Sequence, residues 1–211
     1  MGRGTRAPDR SLALRQYGRI AGVYDLLARP GMGLRRRLVE EVDLSPGQTV
    51  LDVACGTGIN FPLIQERIGP TGRIIGVDLS PDMLARARQR VQDQGWSNVR
   101  LIEASIEEAD IPKEIDAALF SLTHDVMRME PALEHVWAHL KTGGRVGVLG
   151  AKWAPRWAFP INVALWLVSR AYVTTFEGYD RPWSHLEGIA GPLRVRSLML
   201  GGLYIASVTK N

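Results

Sequence analysis

The chain has 211 residues, is 45% hydrophobic and carries a formal net charge of +4. This is one domain's length plus an appended segment, with enough apolar material to exclude disorder as the default. A single cysteine excludes an internal disulfide framework and a zinc knuckle, and fits a reducing cytoplasm.

Residues 1–10 are polar and basic, with no apolar stretch behind them. No secretory signal is expected, and the expected location is cytoplasmic, with or without membrane association. Nine arginines lie in residues 1–41, against Asp9, Asp25, Glu40 and Glu41. Such a segment meets anionic lipid, nucleic acid or an acidic substrate, or is simply a solvated helix face.

Residues 11–28 read as a helix, with Tyr17, Ile20, Ala21 and Tyr24 at three- and four-residue steps. Arg29-Pro30-Gly31 breaks it, and residues 34–42 form a second helix. Strands then alternate with helices. Strands are expected at 49–54, 73–78, 98–103, 115–122 and 145–150, and helices at 59–68, 81–94 and 131–141. Ser80 and Pro81 form a cap and first turn, and Gly95 closes that helix. Alternation of this kind means a parallel sheet covered on both faces, with the strand C-terminal ends along one ligand-binding edge.

The last sixty residues differ. The uncharged run from Trp157 to Ser169 is thirteen residues, too short for a membrane span of roughly 20 residues. It reads as a core helix, a lid over an apolar pocket or an interfacial helix, with the first two preferred. Residues 193–200 and 203–209, around Gly201-Gly202, read as an antiparallel hairpin that finishes the sheet.

The densest signal is Leu51-Asp52-Val53-Ala54-Cys55-Gly56-Thr57-Gly58, followed by Val77-Asp78-Leu79-Ser80-Pro81-Asp82-Met83-Leu84. An apolar strand runs into a glycine turn, a helix follows, and a second strand ends in an acid. Glycines let a nucleoside-containing ligand approach the backbone, and an acid accepts two ribose hydroxyls. A dinucleotide fingerprint would need a third glycine where Phe61 stands.

These two runs resemble the first two motifs of class I S-adenosylmethionine-dependent methyltransferases. Leu140-Lys141-Thr142-Gly143-Gly144-Arg145 resembles the loop before their fifth strand. Tyr17-Gly18-Arg19-Ile20-Ala21-Gly22-Val23-Tyr24-Asp25 is similar to the N-terminal segment of the ubiquinone/menaquinone C-methyltransferase-like group. Small phospholipid N-methyltransferases have a similar segment.

The resemblance implies an α/β fold: a Rossmann-like, doubly wound, seven-stranded sheet, mostly parallel with a C-terminal antiparallel hairpin. Residues 1–45 would form an N-terminal helical cap segment. Residues 46–211 would form the methyltransferase domain, with 153–190 as a lid-like insertion.

It also implies S-adenosylmethionine as cofactor, held by Tyr24, Asp52, Ala54, Gly56, Thr57, Gly58, Asp78, Leu79, Met83, Ser105, Ile106 and Leu122. Asp52 stands where the family orients the methionine amino group. Asp78 would take the ribose hydroxyls, and Leu79 and Met83 would flank the adenine. Ser105 departs from the family's usual Asp for the adenine amino group, although the Ile106 backbone N–H can still meet the ring.

At the end of the fourth strand, His124 is the candidate base and Asp125 the group that orients it. His185 is a second candidate base. His135 and His139 lack a third ligand, so no metal is expected. Cys55 reads as a packed residue.

The expected acceptor is small and largely apolar, quinone-like or lipid-like, under a lid built from the tail's aromatic residues. Peripheral membrane contact through the Arg-rich N-terminal segment and a homodimer are both open. Nucleic acid is not the expected partner, because no Asn/Asp-Pro-Pro-aromatic run follows the fourth strand. The alternatives are a phospholipid N-methyltransferase at the membrane surface, an RNA-modifying methyltransferase and a non-catalytic cofactor-binding protein.

Overall fold

The computed structural model describes Asp9, Ser11, residues 24–170 and residues 172–211. Most of the helix expected over 11–28, with Tyr17 and Ile20, lies outside the described residues; its end is helix α1, Tyr24–Ala28. A 3-10 turn at Arg29–Gly31 leads into α2, Met32–Val42. The alternating core follows: β1 Thr49–Val53, α3 Phe61–Ile68, β2 Arg73–Asp78, α4 Pro81–Asp93, β3 Val99–Glu103 and β4 Ile115–Ser121. The chain then forms α5 His124–Met127, α6 Glu130–His139, β5 Leu140–Ala151, α7 Phe159–Ser169, α8 Ser184–Ala190, β6 Arg194–Leu198 and β7 Leu203–Thr209.

The described strands make one seven-stranded sheet in the order β3-β2-β1-β4-β5-β7-β6. The first five run parallel, and β7 is antiparallel to both β5 and β6. This is the expected doubly wound architecture. Its physical basis is visible in β1 and β4, whose residues are almost all buried because helices cover both sides. The edge strand β6 instead exposes Arg194, Arg196 and Ser197, which blunts it against pairing with another chain.

Two apolar layers flank the sheet. On one face Leu133 and Val136 of α6 and Leu186 of α8 pack with Val53, Phe120, Val148 and Tyr204. On the other, Leu38 and Val42 of α2, Ile64 and Ile68 of α3, and Leu84 of α4 pack with Val50, Ile74, Leu119 and Ile205. Helix α2 is therefore part of the sheet's cover. Gly147 lets it come close, because a Cβ there would strike Val42 and Leu38.

Three local expectations change. The helix expected to 141 stops at His139, and Leu140–Ala151 is one long strand with a register shift opposite 115–117. The reason is the last strand: Gly143 N–H donates to the Lys210 carbonyl at 2.7 Å and Lys210 N–H to the Gly144 carbonyl at 2.8 Å. The chain's end thus pulls the Gly-Gly turn into extended pairing. The strand expected over 193–200 is shorter, because Met199, Leu200 and Gly201 take positive φ in a tight turn. Finally, α7 is not a core helix. Most of its apolar side chains are exposed.

Candidate cofactor and acceptor site

A crevice opens along the C-terminal edge of β1, β2 and β4, with about 1030 Å³ of open space including its mouth. It is lined by Tyr24, Ala54, Gly56, Asp78, Leu79, Met83, Ser105, Ile106, Leu122, His124 and Asp125, all predicted from sequence. Asp52, Thr57 and Gly58, also predicted, lie behind this lining rather than in it.

The β1 turn sets the geometry. Cys55 N–H donates to the Val77 carbonyl at 3.0 Å, which ties the turn to β2. Gly56 then takes φ +57°, and a Cβ there would meet nothing within 4 Å. Open space next to a backbone that only glycine adopts easily is a cradle for a ligand. Gly58 serves packing instead, since at φ +70° its Cβ would lie 2.5 Å from the Phe61 ring. Cys55 is buried, and burial, reinforced by the charges of Asp78 and Asp52, pushes its thiol well above the ordinary range. A thiol held neutral in this way is packing rather than a nucleophile.

Asp78 ends β2 facing the same space. Its Oδ2 accepts from Gly56 N–H at 2.8 Å and its Oδ1 from Ser80 N–H at 2.8 Å. Each oxygen keeps a lone pair for a further donor. Burial raises its pKa, while the N–H groups of Ser80, Gly56 and Leu79 hold the shift back. A carboxylate fixed by two backbone donors and open on its far side fits a vicinal diol.

Beneath the turn lies a buried polar group that the sequence reading missed. Arg35, 2% exposed, donates to Asn60 Oδ1 at 3.0 Å and to Ser121 Oγ at 2.7 Å, and it reaches the Tyr24 hydroxyl at 3.5 Å. Asn60 Nδ2 in turn donates to both Asp52 oxygens, at 2.9 and 3.1 Å. Burial lifts the Asp52 pKa to about 7 against the opposing pull of Asn60 and Arg35. The Arg35 Nε has no hydrogen-bond partner among the described residues. A buried cation with an unused donor, next to two residues that line the crevice, fits an anionic ligand group. Its only sequence signal was Arg35-Arg36-Arg37 on an otherwise amphipathic helix, which reads as surface charge.

Asp25 docks α1 onto the glycine turn. It accepts from Thr57 Oγ1 at 2.5 Å and pairs with Arg90, whose Nε donates to the Thr57 carbonyl at 3.0 Å. This places Tyr24 at the crevice. At the opposite wall, Ser105 Oγ donates to Glu108 Oε2 at 2.9 Å, and Ile106 is buried.

Ala54 and Leu122, at the ends of the two central strands, take φ +51° and +61°. Both line the crevice. A non-glycine residue in this region carries strain, and such strain clusters at ligand sites.

At the β4 end of the crevice, His124 is buried against Tyr179 with ring centroids 4.8 Å apart in an edge-on arrangement. Burial lowers its pKa to about 4. The Glu177 and Thr175 backbone pulls the other way, and Arg128 adds to the lowering. The expected orienting contact from Asp125 is absent, because Thr174 takes that carboxylate. Its N–H lies 3.1 and 3.3 Å from the two oxygens and its Oγ1 2.8 Å from one of them.

His185 lies away from the crevice lining, with its Nε2 3.0 Å from Arg128. Because Arg only donates, that nitrogen accepts. His135 and His139 are occupied by backbone carbonyls, at 3.0 Å from Ala109 O and 2.8 Å from His135 O respectively.

The tail's aromatic residues divide into two groups. Trp153, Phe176 and Tyr179 cluster behind His124, and Trp183 packs on Tyr204. Tyr172 lines the crevice and meets Tyr24 edge-on at 6.5 Å. Trp157, Phe159 and Trp166 face outward.

Comparison with known proteins adds a second line of observation. Residues 50–144 match the family described as "Methyltransferase domain". The chain is 31% identical over 166 residues to the ubiquinone/menaquinone biosynthesis C-methyltransferase of Azotobacter vinelandii, covering 74% of this chain and 63% of the relative. It is 30% identical over 109 residues to the arsenite methyltransferase of Halobacterium salinarum, covering 50% and 27%. It is 31% identical over 116 residues to the demethylmenaquinone methyltransferase of Oceanobacillus iheyensis, covering 53% and 48%. The chain thus spans about half or less of the length of several curated relatives it matches.

Among solved structures, an S-adenosylmethionine-dependent methyltransferase from Aquifex aeolicus matches with TM-score 0.60 at 21% identity, covering 84% of this chain and 89% of that one. A geranyl diphosphate methyltransferase, in complex with that substrate and sinefungin, matches with TM-score 0.67 at 15% identity, covering 97% and 87%. At these identities the likeness is one of fold.

Proposed function

We propose that the chain is a class I S-adenosylmethionine-dependent methyltransferase and that it methylates a small, largely apolar acceptor of quinone-like or lipid-like chemistry. When bound, S-adenosylmethionine supplies a methyl group on a positively charged sulfur, activated for in-line displacement by an electron pair of the acceptor.

The observation that carries this reading is the paired anchoring of Asp78 by Gly56 and Ser80. It aims a fixed carboxylate at the open space beside Gly56. Asp78 would accept the two ribose hydroxyls. Leu79 and Met83 would flank the adenine, with Ile106 N–H and Ser105 at its edge. Arg35 supplies the positive charge for the methionine carboxylate. Asp52, through Asn60, supplies a negative charge near the methionine amino group. Tyr24 closes the crevice over this end, and Thr57 and Gly58 hold the turn in shape.

The acceptor would enter between Leu122, His124, Met129 and Tyr172, a wall more apolar than polar. Placing two reactants in line contributes about 7–11 kcal/mol without any proton transfer. A ring held near pKa 4 is neutral at pH 7 and a weak base. His124 therefore serves acceptors that reach the site already ionised or nucleophilic, by offering a hydrogen bond rather than removing a proton. Asp125 contributes by holding Thr174, and with it the loop that backs the ring. Similarity to quinone C-methyltransferases supports the acceptor class.

The test is incubation of the full chain with labelled methyl donor and either hydroquinones or a lipid extract, followed by mass spectrometry of labelled products. Labelling of apolar phenolic or lipid compounds that is lost in Asp78→Ala supports the reading. Cofactor binding without turnover on any of these acceptors overturns it.

A further inference from the structure

Helix α7 is built unlike every other helix in the described residues. It is apolar nearly all round, yet it lies on the surface. Trp157 in the 3-10 turn Arg156–Ala158 just before it and Phe159 at its start are 72% and 64% exposed, and Trp166 and Val168 near its end are 46% and 62% exposed. Beside it, the turn between β6 and β7 exposes Met199 and Leu200 by 66% and 64%.

The two elements are contiguous. A Cβ on Gly202 would lie 2.8 Å from Ile161 and 3.1 Å from Leu165 of α7, and one on Gly201 would lie 2.6 Å from Pro155. Asn162 fixes the helix to the segment after β5, accepting from the Ala154 N–H at 2.7 Å and donating to the Ala154 carbonyl at 3.1 Å. The apolar surface is therefore held outward by design of the packing. A contiguous patch of this kind marks an interaction site.

Charge selects the partner. From Lys152 to Phe176 the sequence holds Lys152, Arg156 and Arg170 and no acidic residue, and none is found after Glu187. None of those three cations forms an ion pair among the described residues. Arg170 lies over the Trp166 ring at 5.2 Å, an arrangement that keeps tryptophan and cation together at a polar–apolar boundary. A second copy docked on the same face would set one cationic surface against another, with no acidic residue between Lys152 and Phe176 to pair with it. An anionic surface meets these cations with opposite charge. No helix among the described residues is long and apolar enough to cross a membrane. At eleven residues, α7 can lie only in the interfacial layer.

We infer that α7 and the Met199–Leu200 turn form a peripheral docking surface for anionic phospholipid bilayers, with aromatic and aliphatic side chains inserted and Arg156 and Arg170 at headgroup level. This face uses none of the arginines of residues 1–41. It adjoins the crevice, because Tyr172, three residues beyond α7, lines that space. Docking here requires nothing of the methyl-transfer reading, and its test reads binding alone.

The full chain is sedimented with phosphatidylcholine vesicles, with and without phosphatidylglycerol. Wild type should partition onto the phosphatidylglycerol vesicles and be released by salt. Trp157→Ser with Phe159→Ser, and separately Met199→Ser with Leu200→Ser, should each lower partitioning at least ~tenfold, as expected for loss of a large inserted side chain. Arg156→Gln with Arg170→Gln should erase the preference for anionic lipid. Unchanged thermal melting of each exposed-site variant separates lost docking from lost folding. Absence of wild-type binding overturns the inference, as does binding that survives both apolar variants but is lost in Arg3→Gln/Arg6→Gln/Arg10→Gln. A solution dimer dissolved by Trp157→Ser with Phe159→Ser assigns the face to a second copy, and also overturns it.

Discussion

Arg35 donates a hydrogen bond to the Ser121 hydroxyl at 2.7 Å, joining the helix before the sheet to the last residue of β4. The same guanidinium reaches Asn60, which holds Asp52. One buried cation thus spans three segments around the base of the crevice. Arg35→Met should destabilise the fold by about 1–3 kcal/mol, because Asn60 and Ser121 lose a charged partner inside the protein. It should also weaken S-adenosylmethionine more than adenosine, since only the former carries the carboxylate. Urea melts and calorimetry with both ligands check this; equal loss for the two would remove Arg35 from the methionine end.

Asp78→Ala should lower cofactor affinity by about 10–100-fold, from the loss of charged hydrogen bonds worth about 1.5–3 kcal/mol. Asp78→Asn should fall in between. Its side-chain oxygen can replace one acceptor for Gly56 or Ser80, but its amide cannot accept the second hydroxyl. Titration calorimetry of both variants gives the ranking.

Asp52 and pH are linked through burial. Its pKa stands at about 7 in the native chain against an ordinary 3.8, so the native state keeps a proton that the unfolded state has released. Stability from this group is full below about pH 4 and declines as pH rises through 7. Asp52→Asn should flatten that decline, measured as melting temperature against pH. If ionised Asp52 meets the methionine amino group, wild-type cofactor affinity should rise over the same window and the variant's should not.

His124 gives the opposite slope. Its pKa is lowered from 6.5 to about 4, so the unfolded state takes up a proton before the native state does. Stability is full above about pH 6.5 and is lost as pH falls toward 4. His124→Phe keeps an aromatic edge against Tyr179 and should remove this acid sensitivity. His124→Asn should retain most turnover if the ring only hydrogen-bonds. Loss of activity that follows a titration near 4 would instead make it a base.

Gly58→Ala tests the turn. A left-handed alanine costs about 1–2 kcal/mol, and the contact at 2.5 Å from the Phe61 ring adds overpacking of about 1–3 kcal/mol. Chemical denaturation should show destabilisation in that combined range. Gly95→Ala, whose Cβ meets nothing within 4 Å at φ +64°, should show the backbone component alone.

The sequence by itself determined the sheet, its winding and the edge where the crevice opens. Those follow from local rules: short apolar strands, glycine where φ must be positive, Ser80-Pro81 where a helix begins, and an acid at the end of β2. Each is a property of neighbours in the chain. Arg35 was invisible because its partners lie 25 and 86 residues away; only folding turns a surface-looking arginine into a buried one. The same holds for Asp125, adjacent to His124 in sequence but claimed by Thr174 across 49 residues. It also holds for Ala54 and Leu122, whose strained φ is imposed by strand ends held in the sheet. The tail was the least legible part. An apolar thirteen-residue run can equally be buried or displayed, and tertiary structure alone decided that its tryptophans face out, because the sheet's two faces were already filled by α2, α3, α4, α6 and α8.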